Sequence, residues 1–154
     1  MRDRRFVAQH RGGPLSREQH KVLMQWAISC AEHVLPYFAA KLDPRIENAL
    51  KVAKTWVQGD ASVGDARNAA FDLIKLANEL PDPAAIFVTR SIAHAVSTAH
   101  MADHSLGAAW YALKAAKAVG KSVAEERQWQ DAHLTEEIRM LVLSAREADK
   151  FKIK

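Results

Sequence analysis

From Ile86 to Ala99 only Thr89, Arg90, Ser91, His94, Ser97 and Thr98 are polar, and five alanines fall between Ala84 and Ala99. A segment that is apolar on almost every side is buried on almost every side. The run outlasts an ordinary strand, and its alanine content favours a helix. Leu106, Ala109, Trp110, Leu113 and Ala116 then recur at helical spacing, the signature of an amphipathic helix. Residues 83–117 therefore read as two helices at the centre of an all-α domain, which the rest of the chain must cover.

Start and stop signals divide that remainder. Ser16 with Gln19 reads as a capping box opening a helix over 17–38, with Trp26, Cys30 and Tyr37 on its apolar stripe and Pro36 near its end. Asp43-Pro44 and Asp82-Pro83 each pair an N-cap with a proline suited to the first turn. Ser62 with Asp65 and Ser122 with Glu125 repeat the capping-box pattern, and Thr135 precedes Glu136 and Glu137. The helix after Ser62 should turn Ala66, Ala69, Ala70, Leu73, Ile74 and Ala77 inward. Five to seven helices in one domain spanning 1–154 result. An extended basic arm over 1–15 leads in, pinned by Phe6, Val7 and Leu15 and turning through Arg-Gly-Gly-Pro, and residues 150–154 read as a frayed tail. The two Asp-Pro pairs stand 39 residues apart, which would suit two helical hairpins of the armadillo or HEAT kind. That offset places the break between the central helices near 98–105, with Asp103 as N-cap.

The chain has 154 residues and a net charge of +4, enough length to bury a sizeable core. Arg2, Arg4, Arg5, Arg11, Arg17 and Lys21 outweigh Asp3 and Glu18 over residues 1–21, so the whole excess lies at the N-terminus and the remainder is balanced. Arg4, Arg5, His10 and Arg11 are thus candidates for an arm that touches an acidic partner. No stretch approaches the roughly 18 apolar residues of a membrane span, and no apolar region follows the first residues as in a signal peptide. The single cysteine, Cys30, fits a reducing, cytoplasmic setting.

Three histidines, His94, His100 and His104, lie with Asp103 and Arg90 in or beside the buried run. The expected role is a structural polar cluster with satisfied imidazoles, and Arg90, if buried, needs a carboxylate from another helix. His100, Asp103 and His104 are candidate metal ligands only if the helix continues through them, because i, i+4 histidines then face one ion. No HExxH pattern or phosphate-binding loop accompanies them. No catalytic or cofactor-binding residue is assigned and no cofactor is expected. The tryptophans lack the interleaved basic residues of a base-stacking platform, so nucleic acid is not the expected partner.

Residues 3–13, His20 with Trp26-Ala27, the run from Cys30 to Pro36, and above all residues 93–109 with Tyr111 and Lys114 resemble a small bacterial family proposed to act as immunity proteins in polymorphic-toxin systems. The resemblance covers nearly the whole chain. It implies an all-α intracellular protein that binds and neutralises a cognate protein toxin, and it carries no catalytic residue with it. Inhibitors of nuclease toxins are often acidic, and the +4 charge departs from that pattern. Two other classes stay open on the residues: a metal-dependent or acid–base enzyme using the histidines of 94–104, and a helical nucleic-acid-binding module using the arm.

Overall fold

The computed structural model describes residues 2–153. Among them the chain forms seven α-helices: α1 (Arg17–Val34), α2 (Pro44–Val57), α3 (Val63–Glu79), α4 (Pro83–Ser97), α5 (His104–Ala118), α6 (Val123–Ala132) and α7 (Glu136–Ala145). Short 3-10 turns occupy Arg4–Phe6, Gln9–Arg11, Leu35–Tyr37 and Asp149–Phe151. The architecture is a single all-α bundle. Among the described residues, β-pairing is limited to one isolated bridge between Ala8 and Leu15.

The helices begin where the side chains can satisfy their first amides. Ser16 with Gln19 and Ser62 with Asp65 make both bonds of a capping box. Asp43 accepts from the Arg45 amide, Asp82 from the Ala85 amide and Ser122 from the Glu125 amide. Thr135 holds the N-cap position of α7 with no side-chain capping bond. α1 stops at Val34 rather than 38, because Pro36 has no N–H to continue the ladder and the chain tightens into the 3-10 turn Leu35–Tyr37.

Two apolar cores share α1 and α5. Met24, Ala27, Ile28, Ala31 and Val34 of α1 and Ala108, Ala112 and Ala115 of α5 join α2, α3 and α4 in one core. Leu23, Trp26 and Cys30, with Leu106 and Ala109, join Phe6, Leu15 and α7 in the other. Between α4 and α5 the contact side chains are small: Ala95, Ala108, Ala112 and Ala115 are 1% exposed or less, and the Ser91 hydroxyl donates to the Ala108 carbonyl at 2.7 Å.

The arm is pinned as its apolar residues suggest, with Phe6 and Leu15 buried and Val7 half-buried. Its turn needs Gly13, since any Cβ there would collide with the Val7 carbonyl. Two expectations change here. Ile74 is 51% exposed, because the inward stripe of α3 runs 66, 69, 70, 73, 76 and 77, and residue 74 lies off it; Phe71 is likewise exposed. Residues 149–151 form a turn that lays Phe151 against the second core instead of fraying; Lys154 lies outside the described residues. Arg146 is 4% exposed. Its guanidinium donates to Asp131 Oδ1 at 2.8 Å and to Gln130 Oε1, and lies over the Trp26 ring. Gln130 in turn donates to the Ala109 carbonyl and accepts from the Trp26 indole. This network ties α1, α5, α6 and α7 together. Burial pulls the Arg146 pKa down to about 10, so it stays charged at neutral pH.

Replacing Arg146 by alanine leaves Gln130 Oε1 without its donor and opens a cavity on Trp26. It should cost about 2–4 kcal/mol, against less than half of that for methionine, which restores volume. Urea denaturation of the two variants checks the order, and equal losses would show that the lost hydrogen bonds, not packing, set the cost.

Candidate functional site along the seam of α4 and α5

Phe87, Arg90 and His94 fall at i, i+3, i+7 on α4, and His104, Gly107 and Tyr111 do the same on α5. Spacings of three, four and seven stack side chains on one helical face. The helices are joined by the bend at 98–103 and run antiparallel, so the two faces meet in one row. His94 Nδ1 lies 3.0 Å from His104 Nδ1. Ring centroids step from His100 to His104 at 5.1 Å, from His94 to Tyr111 at 5.1 Å, and from Tyr111 to Phe87 at 6.3 Å. Gly107 makes room for this row: a Cβ there would strike the His94 imidazole.

Charge around the row is mainly positive. Burial, then His104 and Arg90, lower the His94 pKa to about 4. Burial foremost also lowers His100, helped by His104, Arg67, Arg11 and Arg2. In His104 burial outweighs the upward pull of Asp103. All three imidazoles are therefore neutral at neutral pH, with one Nδ1–H donating to the other Nδ1 across the helix pair. The His100 Nδ1 is buried with no partner among the described residues.

Asp103 occupies the N-cap position of α5, yet its carboxylate makes no capping bond. It accepts instead from Arg2 at 3.3 Å. Arg90 is exposed rather than buried, because α4 is open to solvent on that side. Among the described residues no carboxylate meets it; its guanidinium lies 5.9 Å from the Tyr111 centroid, within cation–π range. The chain leaves the helix at Ser97 and re-enters at His104, so His100 and His104 are not successive turns of one helix. Among the described residues no three His, Cys, Asp or Glu side chains converge as a metal site would need.

In the arm, Arg5 grips Asp3 and donates to the Ser144 hydroxyl at 2.6 Å. Arg11 donates to the Met101 sulfur at 3.5 Å, while Arg4 and His10 are exposed. Through Arg2 and Arg11 the arm reaches the histidine bend, so two features separate in sequence adjoin in space. Sequence reasoning missed Arg2, Gly107 and Tyr111. The shared i, i+3, i+7 pattern of 87/90/94 and 104/107/111 was the available signal. It also missed an imidazole–carboxylate pair, His33 Nδ1 to Glu126 Oε1 at 2.7 Å, with Trp129 stacked between His33 and His133. The Cys30 thiol is fully buried and its pKa is raised by that burial, so it is poorly suited to nucleophilic attack.

A family model described as "Imm-5 like putative immunity protein" matches residues 13–137. No curated protein and no solved structure matches the chain.

Gly107→Ala should push the His94 ring out of its seat and cost about 1–3 kcal/mol, the usual range for overpacking; a melt unchanged within a degree would contradict the seat. A pH dependence follows from His94. Its folded pKa is below its unfolded value, so the unfolded chain binds more protons and stability falls with acidification, between about pH 7 and pH 4. At pH 5 the loss from His94 alone is on the order of 2 kcal/mol. Urea midpoints taken from pH 7 down to 4 should fall, and His94→Gln should flatten the fall.

Proposed function

We propose that this chain, which belongs to the Imm-5 like family of immunity proteins, binds a cognate protein toxin in the cytoplasm and neutralises it by occupying its surface, without chemistry of its own. The family match carries the reading. The rigid row on α4 and α5 supports it: the histidines stay neutral, Gly107 fixes one of them, and Arg2, Arg11 and Arg90 edge the surface. Such a preorganised face loses little entropy on binding, and a cationic fringe speeds encounter with an acidic partner. Among the described residues no helix is long and apolar enough to cross a membrane.

Co-expression with a candidate toxin, sought among the reading frames adjacent to this gene, tests the proposal. Growth should be restored by the wild-type chain, and the two proteins should co-elute as a complex of submicromolar affinity. A toxin that kills equally with and without this chain, and that does not co-elute with it, would overturn the reading.

A further inference from the structure

The next face of α5 carries Trp110, Lys114 and Lys117 at i, i+4, i+7. With Phe87 of α4 and Lys150 and Lys152 of the C-terminal tail they line a cleft of about 670 Å³, within the range of sites that hold a few side chains. Lys150 also lines the smaller recess beside His94 and His104, so the cleft continues the histidine row. Among the described residues Lys114, Lys150 and Lys152 face it with one carboxylate, Asp149, which already binds Lys152 at 2.7 Å. The Lys114 ammonium lies 4.4 Å from the Trp110 centroid and 4.9 Å from that of Phe87. Two aromatic faces thereby hold one cation in place at the apolar floor.

We infer that this cleft docks an acidic segment of the partner protein, with an aromatic or apolar anchor packing against Phe87 and Trp110 beside the Lys114 ammonium they hold and flanking carboxylates meeting the lysines; the inference rests on the immunity reading. The charge imbalance selects carboxylates, and the half-buried aromatics need an apolar group to complete their burial. A nucleic acid fits less well. Base stacking needs an open ring face, whereas Trp110 carries Lys114 over its ring and packs edge-on against Tyr111 at 4.9 Å.

The probe is the blocked pentapeptide Glu-Asp-Phe-Asp-Glu carrying a fluorophore, titrated by anisotropy beside its Phe→Gly form and a twelve-residue oligothymidylate. Saturable binding is expected, weakening about tenfold or more when the anchor is removed, and falling between low and physiological salt. Lys114→Glu and the double variant Lys150→Glu with Lys152→Glu should each weaken binding about tenfold while melting near the wild-type temperature. No saturable peptide binding, or binding indifferent to both variants, overturns the inference, and so does an oligothymidylate that binds more tightly and is lost in the same variants. The toxin assay separates the two levels. Protection that persists in Lys114→Glu sinks the cleft and leaves the immunity reading standing. Peptide binding at the cleft with no protection by the wild-type chain sinks the immunity reading.

Discussion

Everything else in the bundle is placed by how closely α4 and α5 approach. Ala95, Ala108, Ala112 and Ala115 offer no side chain beyond Cβ, so the two backbones draw together and dispersion contacts replace long side chains. At that distance the Ser91 hydroxyl reaches the carbonyl of residue 108 on the other helix, and Gly107 can face an imidazole with nothing between them. A larger residue at any of these positions would separate the helices and take the histidine row apart, because a close-packed interior does not absorb added methylenes freely.

The part of this that could be read from sequence was local. Capping at Ser16, Asp43, Ser62, Asp82 and Ser122 depends on a side chain and an amide two or three residues away, and those starts agree with the structure. Burial of the alanine-rich run followed from composition, as did the pinning of Phe6 and Leu15. What escaped depends on neighbours distant in the chain. Arg90 looked buried because its own helix is apolar, but no element covers that side of α4. Arg146 drew no notice in the sequence, yet Gln130, Asp131 and Trp26 enclose it. Asp103 stood where a cap belongs, and an arginine 101 positions earlier took its carboxylate.

The candidate site shows the same division. Its histidines were visible as unexpected polar residues in an apolar stretch. Their neutrality was not, since it arises from burial combined with arginines contributed by the arm and by α3. The lysine-rich cleft beside them joins α4, α5 and a C-terminal turn, and no window of the sequence contains all of its parts.

The sharing of α1 and α5 between two cores bears on how the molecule comes apart. Neither core can open by shedding helices that belong to it alone, because each is walled by the same two. Partial opening would then be confined to the rim, to the arm and the C-terminal turn, and full opening would come in one step. Proteases would then find cleavable chain at the loosened rim or in the rare fully unfolded molecule, while the two shared helices stay closed to them until the whole bundle opens.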